Sequence, residues 1–501
     1  MKRHYFVLTS LFAFAGLFAT ISAQPALSRT EGPALSSVEG PPLFSTSLPK
    51  EEFAARRAKV LAQIGDGVAI MQGATETSSY EKFRQSNQFY YLTGVDTPRA
   101  ILVLDGKGTS STLYLLPTNE MMERSEGPLL APGAAAETLT GIEHVRPRAD
   151  FDALVPTLAG RTIYTTVRGE TVLAGTPDRA DSHARARAAD PWDLQGSREA
   201  FVRTRLSETA PAAKFENLDD ILDRMREIKS PREIALLRES ARIAALAHME
   251  AMRAAEPGMY EYEIEAIGDY VFKSHNAWGP AYFGLTAAGK NSFWPHYHAA
   301  QTQLKNGDLV LFDYAPDYHY YTSDVTRMWP ANGKFSPDQR ELYGIYLKLY
   351  QAIMTSIHPG KGIDITRDAV AKMDAVMSSY RFTNPKNRAA ADRFVEGYRA
   401  RVTGNSGRVV MLGHMVGMEV HDVQTGFDGE YTPGMVFTIE PAMTIPEDRV
   451  YVRLEDMLLI TPNGCENMSS TAPVEIDAIE KLMVEPGLPQ MAKRPASTAS
   501  R

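Results

Sequence analysis

Asp308-Leu-Val-Leu-Phe-Asp-Tyr-Ala-Pro-Asp-Tyr-His-Tyr-Tyr-Thr-Ser-Asp-Val-Thr-Arg327 is the stretch that decides the fold. β-prone residues run on both sides of a polar tip at Asp317 to His319, so it reads as strand, turn and returning strand. In an antiparallel hairpin without bulges, paired residue numbers have a constant sum. A turn centred between Tyr318 and His319 then sets Asp313 opposite Asp324 on one face. Two like charges facing each other destabilise a sheet, and a cation between them removes the repulsion. A second stretch, Val436 to Ile460, repeats the pattern. Glu440 and Glu455 each sit in an apolar run, and a turn between Glu447 and Asp448 sets them opposite each other. Buried carboxylates need partners. Two such pairs point to one shared site rather than to two solvent-facing accidents.

Between the hairpins lies Gly413-His414-Met-Val-Gly417-Met-Glu-Val-His421-Asp422. Its two histidines are flanked by glycines that permit close backbone approach. Four carboxylates and an imidazole make a hard, oxygen-rich donor set. It suits two divalent ions, Mn²⁺ first, with Co²⁺ or Zn²⁺ as alternatives. Paired metals generate hydroxide at neutral pH and stabilise a tetrahedral intermediate.

The 501 residues exceed one ordinary core, so two domains are expected. Residues 49–212 alternate helical and strand patterns. A helix passes through Phe53, Val60 and Leu61, with strand-like runs at 68–71, 100–104, 112–116 and 162–167. A second domain spans 213–486. Within it, Ser230, Pro231 and Glu233 form a helix start with a capping box. Ile234, Leu237, Ala241, Ala244 and Ala245 follow as an apolar stripe, and a further helix is expected from Tyr260 to His275. The fold class is therefore α/β (α+β), a mixed N-terminal domain followed by a larger domain carrying the hairpins.

The N-terminus reads as a secretory signal over residues 1–23: Lys2 and Arg3, an apolar run, then Ser22-Ala23 before Gln24. A Pro/Ser/Gly-rich linker (24–48) follows, and a flexible tail closes the chain (487–501). The chain is therefore expected to be exported to the periplasm or the outside, with no membrane span after signal removal. A net charge of −8 argues against nucleic acid as a partner. The single Cys465 excludes an intramolecular disulfide framework and a cysteine-rich metal site.

At the hairpin residues the sequence resembles the pita-bread metallopeptidases, specifically the Xaa-Pro aminopeptidases (aminopeptidase P), which are related to prolidase and methionine aminopeptidase. Asp-Val-Thr-Arg at 324–327, Ile-Glu-Pro at 439–441, the segment from Met225 to Ile234 and the segment from Phe83 to Gly94 carry the resemblance, which spans about Glu51 to Leu482. It implies a pita-bread catalytic domain after an aminopeptidase P-like N-terminal domain. Asp313 would hold one metal, Asp324 and Glu455 would bridge both, and His414 and Glu440 would hold the other. A two-metal activated hydroxide would cleave the N-terminal Xaa-Pro bond, and Glu440 would carry the proton to the departing nitrogen. His296 and His421 would contact substrate, and Arg453 would hold the acids ionised. Partners would be peptides with proline at the second position, and the chain would form a homo-oligomer, a dimer or tetramer. Tyr90 would line the proline pocket.

His298 and His319 lie near these motifs, whereas His248 fits a structural role. Tyr314, Val410 and Ala442 depart from the family's usual small residue, histidine and glycine. The competing readings are a prolidase, which needs a cation beyond proline (Arg327 is the best remaining candidate, though it also fits a structural role in the family), and a non-catalytic peptide-binding module, which would have lost ligands. The intact ligand positions also disfavour metal-free creatinase-like chemistry, and the large N-terminal domain disfavours a methionine aminopeptidase.

Overall fold

Val68-Ala-Ile-Met71 is apolar without alternation, the pattern of a strand covered on both faces. It forms the centre of a six-stranded sheet in the computed structural model, which describes residues 40–77, 80–169, 176–193, 196–404 and 407–492. The expected signal segment, the linker up to residue 39 and the tail from residue 493 lie outside the described residues. Helix α1 (Lys50–Ile64) precedes strands β1 (Val68–Gln72), β2 (Ile101–Asp105), β3 (Ser110–Leu115), β4 (His144–Pro147), β5 (Thr162–Thr165) and β6 (Lys214–Asn217). Their order across the sheet is β4-β3-β2-β1-β5-β6. Ala69, Met71, Leu102 and Leu104 face a core shared with α1 and the rest of the chain. Val68, Ile70, Ile101 and Val103 face a smaller core with Val155, Leu158 and Leu206. The described residues form one compact unit.

Helix α2 (Pro231–Ala254) starts at the expected capping box, with Ser230 and Glu233 each satisfying the other's backbone N–H. It packs against α3 (Glu261–Ser274). Strands β7 (Gly279–Pro280), β8 (Leu285–Ala288), β9 (Leu309–Asp313), β10 (Pro316–Tyr318), β11 (Tyr321–Thr322) and β12 (Thr326–Pro330) follow. Helices α4 (Pro337–Met354), α5 (Gly362–Ser379) and α6 (Pro385–Thr403) come next, before β13 (Val436–Ile439), β14 (Ala442–Ile445), β15 (Val450–Arg453), β16 (Asp456–Thr461) and β17 (Gly464–Asn467).

The second hairpin has the expected register. Ile439 pairs with Asp456 and Ala442 with Arg453, on either side of Glu440 and Glu455, and the turn is at Pro446–Asp448. The first hairpin does not. Asp313 pairs with Thr326 rather than Asp324, and Asp317 with Thr322, so the turn falls between His319 and Tyr320. Both turn residues have positive φ, 52° and 73°, as a two-residue hairpin turn that follows the strands' twist requires. Asp324 lies in the unpaired link between β11 and β12. A slip of two residues keeps side chains on the same face, so Asp324 still turns towards Asp313.

Candidate metal centre

Four connections bring the candidate residues together. Asp313 ends β9, and Asp324 sits just before β12. The hairpins join where Thr326 and Glu455 exchange backbone hydrogen bonds, 3.3 and 3.1 Å. Glu440 and Glu455 occupy the breaks between β13 and β14 and between β15 and β16. The strand-like segment before β13 adds His414, whose carbonyl accepts from Thr438 N–H at 2.9 Å. Gly413 allows that approach, because a Cβ there would lie 1.9 Å from the Thr438 carbonyl oxygen.

The side chains converge. Ligand atoms of Asp313, Asp324 and Glu455 lie within 4.8 Å of one another, as do those of His414, Glu440 and Glu455, and those of Asp324, His414 and His421. His414 Nε2 is 3.5 Å from Asp324, 3.4 Å from Glu440 and 3.8 Å from Glu455. His414 Nδ1 lies 3.2 Å from the Met415 carbonyl. Donating the Nδ1 proton there leaves the Nε2 lone pair aimed at the acids, the tautomer a metal ligand needs. Glu455 Oε1 is buried without a hydrogen-bond partner. A buried carboxylate oxygen left open among three other acids and an imidazole fits a site built for divalent cations.

The electrostatics agree. Burial, then Glu455 and Asp313, push the Asp324 carboxyl well above its ordinary value. Burial and Glu455 likewise raise Glu440, and burial raises Asp313 despite Arg453. Burial works against the charged form of His414, but Glu455 and Glu440 hold it above its ordinary value. Arg453 donates to Glu440 Oε2 at 3.1 Å, to Thr326 Oγ1 at 3.0 Å and to Asp313. That places it against the acids.

Tyr282 has no counterpart in the sequence reading. Its hydroxyl meets Asp313 at 2.7 Å and Asp324 at 2.8 Å, linking the two acids of the first hairpin. Thr326 donates to Glu455 Oε2 at 2.8 Å. Thr326 belongs to the Asp-Val-Thr-Arg motif, whereas Tyr282 belongs to no recognisable ligand pattern and stands 31 residues before Asp313.

His421 stacks beside His414, ring centroids 4.1 Å apart. His296 is exposed in the loop after the short helix Gly289–Phe293, and its Nδ1 lies 3.1 Å from Arg179. Burial and Arg179 lower its pKa. His298 packs on Phe283, and His319 occupies the hairpin turn beside Asn276. His248 is buried against the carbonyls of Ala244 and Phe312, a structural position, and burial lowers its pKa to about 4.

Two expectations need correction. Tyr90 is buried and stacks on Tyr320 at 3.5 Å, so it holds the tip of the first hairpin rather than lining a pocket. Arg327 is fully buried, paired with Asp456 at 2.6 Å and donating to the Glu455, Ser469 and Ala472 carbonyls. It braces the junction of the hairpins and cannot reach a substrate. Of the departures, Tyr314 is accommodated by Gly268, where a Cβ would lie 2.8 Å from its ring, and its hydroxyl bonds Asp269.

The sequence matches the profile of metallopeptidase family M24 over residues 235–462 and that of the aminopeptidase P N-terminal domain over 53–165. The Xaa-Pro aminopeptidase of Haemophilus influenzae is 31% identical over 461 residues, which span 88% of this chain and 99% of the relative. Proline aminopeptidase P II from Yersinia pestis superposes with a TM-score of 0.69 at 29% identity, covering 87% of this chain and all of that one. Zinc-substituted Escherichia coli aminopeptidase P in complex with product gives 0.69 at 28% identity, over 87% and 99% of the two chains.

Proposed function

The chain belongs to the aminopeptidase P branch of metallopeptidase family M24, and from that premise we propose that it removes the N-terminal residue of peptides whose second residue is proline. The observation that carries this reading is the convergence of Asp313, Asp324, His414, Glu440 and Glu455 on one point, with Glu455 Oε1 buried and open. Two divalent ions held by these five residues would lower the pKa of a water and polarise the scissile carbonyl. Manganese is the proposed metal, because four carboxylates and one imidazole favour a hard ion. The zinc-substituted relative supports a divalent metal in this fold.

Glu440 is the least buried of the acids, with about a third of its side chain exposed, so it can meet both water and peptide. A carboxylate placed there can take a proton from the attacking water and return it to the departing nitrogen. That nitrogen is proline's, part of a tertiary amide with no N–H of its own, so expulsion as an amine needs this proton. His296 and His421 would donate to the carbonyl oxygen as negative charge develops on it. Arg453 would keep Asp313 and Glu440 ionised and oriented.

A dipeptidase would need a cation just beyond proline. With Arg327 paired to Asp456 inside the core, the aminopeptidase reading is preferred. We further propose export, with removal of residues 1–23, and assembly as a homo-oligomer; among the described residues, no helix is long and apolar enough to cross a membrane. The test is product analysis. The purified chain, loaded with Mn²⁺, should release one free residue from a Xaa-Pro-Yaa peptide and stop after chelation. Release of internal fragments, or undiminished cleavage in a chelator, would overturn the reading.

A further inference from the structure

His421 is carried by the loop Gly417–Asp422, which is neither helix nor strand. Backbone hydrogen bonds hold its ends, Thr322 N–H to the Gly417 carbonyl at 2.9 Å and Asp422 N–H to the Met415 carbonyl at 2.7 Å, and its acidic side chains add further contacts. The two acids that bracket the histidine, Glu419 and Asp422, turn away from the metal centre and meet Arg226 at 3.2 and 2.6 Å. Arg226 lies near the end of the helix Asp219–Glu227, with 2% of its side chain exposed. Lys229 approaches the other oxygen of Asp422 at 3.2 Å. Gly417 makes room for this carboxylate, since a Cβ there would lie 2.0 Å from Asp422 Oδ2.

The network continues into the N-terminal domain. Asn87 donates to Glu419 Oε1 at 3.1 Å and accepts from Arg84, which pairs with Asp317 of the first hairpin at 2.6 Å. Three buried cations thus meet three buried acids, and one of these pairs, Arg84–Asp317, joins the two parts of the chain. Against the cost of burial, Arg226 and Lys229 hold the Asp422 carboxyl below its ordinary value. Buried ion networks are poor stabilisers compared with apolar packing. This one gains its significance from what lies between the two acids.

We propose that Arg226 is a positioning residue for His421. Its Nη2 alone bridges Glu419 and Asp422, and the imidazole between them is thereby held against His414 at the metal centre. The inference rests on the proposed role of His421 as a substrate contact. It gives the N-terminal domain a part in catalysis, because Asn87 shares the Glu419 carboxylate with Arg226.

A double-mutant cycle tests this, on the full chain loaded with Mn²⁺. Arg226→Lys keeps the charge but, with a shorter side chain, withdraws the Nη2 that both acids share. It should lower kcat/KM on a Xaa-Pro-Yaa peptide by roughly 10–100-fold, as loss of a supporting contact typically does, with bound metal unchanged. In a His421→Ala background the same substitution should change kcat/KM by less than about threefold, because the residue it acts through is gone. If Arg226→Lys does not fold, Asp422→Asn carries the same cycle. An equal fold-loss in both backgrounds, or a wild-type rate in the single variant, overturns the proposal. A wild-type rate in His421→Ala alone would instead remove the role assigned to His421, and this inference with it.

Discussion

Asp324→Asn should act in opposite directions on the metal-free and metal-loaded protein. The Asp324 carboxylate is buried, with an oxygen within 4.8 Å of those of Asp313 and Glu455. With an effective dielectric constant of about 20, each ionised pair at that distance repels by about 3.5 kcal/mol. Arg453 offsets part of this, since it lies against Asp313 and 4.0 Å from Glu455. Burial and the two acids hold the Asp324 pKa well above its ordinary 3.8 in the folded state. A folded-state pKa raised in this way favours the native state fully below the unfolded value, and the advantage is lost as pH rises through the raised value. At pH 7–8 the wild-type, metal-free chain therefore carries the penalty. Asparagine removes the charge and keeps an oxygen for Tyr282, so the chelated variant should gain about 1–3 kcal/mol, with a flatter dependence on pH above 4. The loaded protein should change the other way. Ions at about 100 times their Kd stabilise the wild type by about 2.7 kcal/mol, and this gain should fall below about 0.5 kcal/mol in the variant. Urea denaturation with chelator and with Mn²⁺, at pH 5 and pH 8, reads both effects. A chelated variant less stable than wild type, or an undiminished gain from the metal, would refute the reasoning.

Replacing His296 or His421 by alanine should lower kcat by about 10²–10³-fold, the usual loss when a donor to a developing oxyanion is removed; metal analysis should find the ion content unchanged. Tyr282→Phe removes the hydroxyl shared by Asp313 and Asp324. It should weaken metal binding by about 10–100-fold, measured by metal titration, while the melting curve stays cooperative. The mature protein from its native host should begin near Gln24, and N-terminal sequencing that finds Met1 retained would rule out the proposed signal removal.

The second hairpin was legible because its turn, Pro446-Glu-Asp448, is short and its arms carry no bulge. One constant sum of residue numbers therefore holds from Val436 to Leu459. The first hairpin was misread by two residues. Its tight turn uses His319 and Tyr320 at positive φ, where sequence offers no Gly or Asn signal. The carboxylates still converge because the slip was even. Side chains fixed by distant partners were harder to read. Arg327 stands beside a ligand motif, and the sequence leaves open whether it faces substrate or serves the structure. Asp456, 129 residues away, draws it into the core. Tyr90 was assigned to a pocket, but Tyr320 covers its ring. Tyr282 gave no signal, and Arg226, though inside the family-like segment from Met225 to Ile234, had no role legible there, because each acts through residues that only the tertiary fold brings near.

The most direct test of the proposed activity is a side-by-side comparison of rates on Gly-Pro, Gly-Pro-Ala and a longer Xaa-Pro peptide with the Mn²⁺-loaded chain. With Arg327 paired to Asp456 inside the core, the tripeptide and the longer peptide should both be cleaved, each losing a single N-terminal residue. Strong cleavage of Gly-Pro with little turnover of the longer peptides would contradict this and make the enzyme a dipeptidase.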